Sequence, residues 1–149
     1  MPEADDLALL LAAAERAGEI GRRHFRADPK VWDKAEGAGP VTEADLEIDS
    51  MLRATLMLAR PDYGWLSEES TDHGARLEAS RVLVVDPLDG TRGFIEGSTA
   101  WAIALAVADL GEITTAVIHM PMLGLTYAAR RGHGATLNGA PIMVASTQC

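Results

Sequence analysis

Two aspartates stand three residues apart in Asp86-Pro87-Leu88-Asp89-Gly90-Thr91, directly after the apolar run Val82-Leu83-Val84-Val85. Such a run reads as a buried strand, and a carboxylate pair at its end is costly to desolvate unless something answers the charge. Pro87 stiffens the link between the carboxylates, Asp89-Gly90 turns the chain sharply, and Thr91 can open a helix. Hard oxygen donors then converge beside free backbone N–H groups, which is the chemistry of a divalent cation and a phosphate. The competing reading is a turn in which both side chains cap local N–H groups. Of the two, we take ligation.

Asp45, Glu68 and the adjacent Glu69 extend the acidic set. Carboxylates at several strand and helix ends can share a pair of magnesium ions, which take six oxygens, keep waters and clamp the attacking and leaving oxygens of phosphoryl transfer. Alone, Glu68-Glu69 would read as a solvated loop pair or an acidic helix start, and it gains weight from Asp86 and Asp89. Thr42-x-x-Asp45 has the spacing of a capping box, which accounts for that pair without chemistry. Asp49 with Arg53, one turn on, reads as a surface ion pair of little energetic worth. Thr91 can orient a metal-bound water or cap a short helix, and the two roles are compatible. His24, His73, His119 and His133 have no mutual spacing of a metal or nucleophile set and read as structural or solvated. Gly37 to Pro40 lacks a following Lys-Ser/Thr, so it reads as a flexible loop rather than a phosphate cradle.

The elements that must position these residues follow from periodicity. Leu7, Leu10, Leu11, Ala14, Gly18, Gly21 and Phe25 recur at helical steps, predicting a long helix over 4–25 ended by Asp28-Pro29. A short extended piece over 31–35 follows. A second helix starts near Thr42, buries Ile48, Met51, Leu52 and Leu56, and stops at Arg60-Pro61 ahead of a strand over 63–66. Residues 67–80 read as a polar loop. In Trp101 to Ala108 large and small apolar residues alternate, predicting a strand covered on both faces. Its alanine face would admit the two helices, and Trp101, Ile103, Leu105 and Val107 would face another layer. Strands over 113–120, 125–129 and 135–137, with a hairpin at 109–112 and a tight turn at Asn138-Gly139, imply a mainly antiparallel sheet in an α+β chain.

The 149 residues suffice for a single domain over 1–149, and 48% hydrophobic content with 23% charge argues against disorder. Apolar stretches fall short of the roughly 18 residues of a membrane span, and no basic-then-apolar signal peptide opens the chain. A net charge of −9 disfavours nucleic acid and anionic membranes as partners. Cys149, the only cysteine, leaves no disulfide framework, pointing to a reducing cytoplasm, and as the last residue it would mark a truncation.

Taken together, Val41-Thr42-Glu43-Ala44-Asp45, Ser67-Glu68-Glu69-Ser70 and Asp86 to Phe94 resemble the inositol monophosphatase family of magnesium-dependent, lithium-sensitive phosphatases. The resemblance covers essentially the whole chain but only the N-terminal part of the family's usual length. It implies a layered fold in which an antiparallel sheet packs on a helix pair, with the second α/β sheet absent from this chain. It also implies that Glu68, Asp86, the Leu88 carbonyl and Asp89 bind Mg2+, and that Thr91, supported by Asp45, orients the activated water. Glu68 thereby shares in catalysis. Leu88, Asp89, Gly90 and Thr91 would hold the substrate phosphate through the helix start, and Lys34 would lie near the site. Arg92-Gly93 resembles the nucleotidase-like and histidinol-phosphatase-like branches as much as the inositol branch. The family's distal Trp-Asp motif is expected beyond residue 149, and Trp32-Asp33 does not replace it. The implied partner is a small phosphate ester. Two alternatives are a non-catalytic metal- or phosphate-binding fragment, and an assembly role, for example a homodimer, with the alanine-rich strand covered by a partner.

Overall fold

The computed structural model describes residues 2–70 and 74–146; His73 and Cys149 lie outside them. The first helix, α1, spans Pro2–His24, and the second, α2, spans Glu43–Ala59. Between them a small antiparallel hairpin pairs β1, Val31–Asp33, with β2, Pro40–Thr42. The other strands form one seven-stranded sheet. They are β3 (Gly64–Ser67), β4 (Arg81–Asp89), β5 (Ala102–Asp109), β6 (Glu112–Met120), β7 (Leu125–Arg130), β8 (Ala135–Leu137) and β9 (Ala140–Ile142). A short helix, α3, spans Thr91–Ile95 between β4 and β5.

Spatial order in the sheet follows chain order from β3 to β9. Every pairing is antiparallel except β3 with β4, which is parallel. The hairpins at Leu110-Gly111 and Asn138-Gly139 turn on two residues with positive φ, the geometry that matches the twist of the flanking strands. The expected antiparallel sheet on a helix pair is thus the observed architecture. The parallel β3 escaped the sequence reading because its partner is reached only by crossing residues 68–80.

The strand β5 faces the opposite way from the sequence expectation. Trp101, Ile103, Leu105 and Val107 are the buried side, packed with Leu10, Ala13, Ala14 and Ala17 of α1, while Ala104, Ala106 and Ala108 remain half-exposed. The reason lies on the helix. The α1 face is itself built from small residues, so large sheet side chains are needed to fill the gap between layers. Gly18 and Gly21 show how close the approach is: a Cβ on Gly18 would stand 2.7 Å from the His119 ring, and one on Gly21 would stand 2.5 Å from the Trp101 ring.

Around the far end of α1, Phe94 meets Trp101 edge-on at 5.1 Å, and Phe25 lies 5.6 Å from Phe94. This aromatic cluster anchors α3, and with it the chain just after the aspartate motif. At the other end, buried Asp6 accepts from Arg60 Nε at 2.8 Å and from the Tyr63 hydroxyl at 2.9 Å, tying α1 to the end of α2. None of the described helices is long and apolar enough to cross a membrane.

Candidate metal and phosphate site

The strand β4 does not stop at the apolar run but continues through the motif to Asp89. Its pairing with β5 jumps from Asp86 opposite Ala104 to Asp89 opposite Ala102, so Pro87 and Leu88 form an irregularity in the ladder. Proline cannot donate to a ladder, and a bulge of this kind re-aims neighbouring groups. Gly90 then takes φ 88°, which a side chain would disfavour, and the chain enters α3.

Asp86, Leu88, Asp89, Gly90 and Thr91 meet Glu68 and Lys34 around one open cavity of about 250 Å3. Burial, followed by the charges of Glu68 and Asp89, raises the Asp86 carboxyl to about 7. Its Oδ1 is buried with no hydrogen-bond partner. Such an orphaned acceptor, crowded by two further carboxylates, fits a cation and is hard to explain by packing. Among the described residues, no three His, Cys, Asp or Glu side chains make a ready cage for an ion. The site would therefore draw on a backbone carbonyl and waters, as magnesium does. Larger hollows, of about 380 Å3 beside Tyr63 and Trp65 and about 450 Å3 beside His119, bring together no comparable set of oxygen donors.

Asp45 lies beneath the cavity, fully buried, and its two carboxylate oxygens have separate tasks. Its Oδ2 accepts from the Thr42 N–H at 2.9 Å and the Thr42 hydroxyl at 2.6 Å, while Thr42 Oγ1 accepts from the amides of Ala44 and Asp45, which completes the capping box. Its Oδ1 accepts from the Thr91 hydroxyl at 2.9 Å. Thr91 is not the cap of α3, a position Gly90 occupies; its hydroxyl instead lies between Asp45 and the Leu88 carbonyl, 3.2 Å away.

Glu69 turns inward. It is nearly buried, 2.7 Å from Lys34 Nζ, and burial raises its pKa against the pull of that ammonium. Lys34 also reaches Glu68 at 3.4 Å, and although burial opposes its charge, the two glutamates leave its pKa raised.

Two features were not read from the sequence. Gly39 and Arg92 line the cavity, so the glycine loop over 37–40 is part of the site's wall although it has no phosphate-loop pattern. Asp49 is no surface ion-pair partner: it is 8% exposed, and its carboxylate accepts from the hydroxyls of Ser67 and Ser70. Asp49 follows Asp45 by one turn on the buried face with Ile48 and Leu52, a placement that its equal spacing to Arg53 conceals.

Comparison with known proteins bears on this arrangement. The family model described as "Inositol monophosphatase family" matches residues 4–148. A histidinol-phosphatase of Chlorobaculum parvum is 37% identical over 142 residues, covering 95% of this chain and 54% of its own length. An inositol-1-monophosphatase of Rhizobium meliloti is 37% identical over 139 residues, covering 93% of this chain and 52% of its own. Among solved structures, the extragenic suppressor protein suhB of Bartonella henselae superposes with a TM-score of 0.89 at 30% identity, covering 96% of this chain and 55% of that one. The chain spans about half the length of the curated relatives it matches. With a family match over nearly all its residues, and a fold shared with a solved relative, the chain belongs to the inositol monophosphatase family.

Proposed function

We propose that this chain forms the magnesium-binding part of a phosphatase that hydrolyses a small phosphate monoester. The observation that carries this reading is Asp86 Oδ1, buried and unpartnered beside Glu68 and Asp89. Glu68, Asp86, Asp89 and the Leu88 carbonyl would hold the metal. Bound magnesium supplies positive charge that polarises the phosphoryl group and lowers the pKa of a water. The Thr91 hydroxyl has one proton, and giving it to Asp45 leaves its lone pairs to accept from, and so orient, the attacking water. Backbone N–H groups at Gly90-Thr91 would fix the phosphate, and Lys34 would add positive charge at the cavity edge.

The net charge of −9 supports a small ester over nucleic acid or membrane as the partner, and a cytoplasmic location belongs to the same reading. A homodimer joined through the half-exposed alanine face would sediment at twice the chain mass, and a monomer removes that part of the proposal.

The test is phosphate release from inositol phosphate, histidinol phosphate and 3'-phosphoadenosine 5'-phosphate, with magnesium and with added lithium. Release should need magnesium, fall with lithium, and disappear in Asp89→Asn. Turnover that ignores magnesium or survives that substitution would sink the reading. The alternative is a chain that binds a divalent ion without turnover, since a shared fold does not by itself carry the activity. Calorimetry showing tight magnesium binding with flat phosphatase assays would establish it.

A further inference from the structure

Glu68 leaves the paired part of β3 immediately. Ser67 lies opposite Val85 in the parallel ladder, the Glu68 amide donates to the Val85 carbonyl at 3.2 Å, and no strand pairing is present beyond that bond. Its side chain is more than half exposed, so little packing fixes it. Lys34 reaches both glutamates from the cavity side, and from the other side Asp49 reaches across from α2 to the flanking serines. One carboxylate oxygen accepts from Ser67 Oγ and the other from Ser70 Oγ, so a single buried side chain spans both ends of Ser67-Glu68-Glu69-Ser70.

Each hydroxyl both donates and accepts. Ser67 Oγ also accepts from the Glu69 amide at 3.3 Å, and Ser70 Oγ accepts from the Trp65 indole N–H at 3.2 Å. A carboxylate accepts only, so each serine proton is drawn to Asp49 while a lone pair of each hydroxyl faces its own donor. An amide at position 49 could accept from one serine but would offer a donor to the other, leaving that serine's proton without its acceptor.

We propose that Asp49 is a positioning residue: through Ser67 and Ser70 it holds the Glu68 segment in place for divalent-ion binding. The inference rests on the proposed magnesium site. It places on one buried helix face, a turn apart, the residue that holds Thr91 and the residue that holds Glu68.

The test measures two things in the chain and in Asp49→Ala and Asp49→Asn: magnesium affinity by calorimetry, and amide exchange at Glu68 and Glu69 without metal. Loss of a side chain that orients a ligand typically weakens metal affinity by about 10- to 100-fold. Asp49→Ala should fall in that range with faster exchange at both amides, and Asp49→Asn should fall between it and the parent. The magnesium midpoint for phosphate release should rise more than activity at saturating magnesium falls. A purely structural role would instead lower the melting temperature and leave the midpoint unmoved. If Asp49→Ala does not fold, Ser70→Ala removes one arm of the clamp and should weaken affinity several-fold, with Ser70→Thr restoring it.

A folded Asp49→Ala or Ser70→Ala that binds magnesium as tightly as the parent, with unchanged exchange, overturns the proposal. Should the parent itself bind no magnesium, or bind it regardless of Glu68→Gln, the phosphatase reading fails first. Exchange at 68–69 then decides the clamp alone: acceleration in the Asp49 variants upholds it, and no change removes it.

Discussion

At Asp86 the protein holds a carboxyl where its charge is least welcome: burial and two neighbouring carboxylates push its pKa up to about 7. A folded-state pKa raised above the unfolded value means that the proton stabilises the fold at low pH, and this contribution is lost as pH rises through about 7. Stripped of metal, the chain should therefore melt at a lower temperature at pH 8 than at pH 6. Asp86→Asn should flatten that slope and raise the pH 8 melting temperature by a few degrees, while its phosphate release falls by two orders of magnitude or more. A scan with chelator present checks this, and an Asn variant that melts with the parent's pH slope contradicts it. Asp86 and Asp89 stood out because two carboxylates three residues apart do not suit a buried strand end, whereas Glu68 was named only through them and the family resemblance. Asp49 was not legible, because an i, i+4 Asp–Arg pair on a helix is indistinguishable in sequence from a solvated one. Only the position of Ser67 and Ser70 across the fold separates the two.

Among the elements, α2 matters most to the site. Its first turn is closed by Thr42 and Asp45, and the same Asp45 supports Thr91. Thr42→Ala removes the cap's side-chain oxygen and should cost about 1–2 kcal/mol in denaturant unfolding. It also frees Asp45 to reorient, so kcat should fall at saturating magnesium; an unchanged kcat in a destabilised variant would separate cap from catalysis. The helix was readable from Thr42-x-x-Asp45 and Arg60-Pro61, which are local signals. The orientation of β5 was not. Alternating large and small residues say that its two faces differ, but which face the helices take depends on the side-chain size α1 brings, and that is settled between elements distant in the chain.

For the molecule as a whole, spatial order along the sheet repeats chain order, and two of its connections are two-residue turns. That simplicity explains why an antiparallel sheet was evident from turn residues and alternation alone, whereas the parallel β3 and the inward Glu69 depended on contacts between segments distant in the chain. It also bears on how the molecule comes into being. Strands β5 to β8 can zip together from neighbouring chain, but α1 packs on β5, β6 and β7 as well as on α2, and those strands are made much later than the helix. Loop closure between such distant segments is slow relative to hairpin formation. In pulse-labelled refolding, amides of β5 to β7 should gain protection before those of α1, and the reverse order would contradict this sequence of events. Until the sheet exists, only α2 covers the apolar side of α1, so the helix that makes the core so compact is also a point at which the nascent chain is exposed to aggregation.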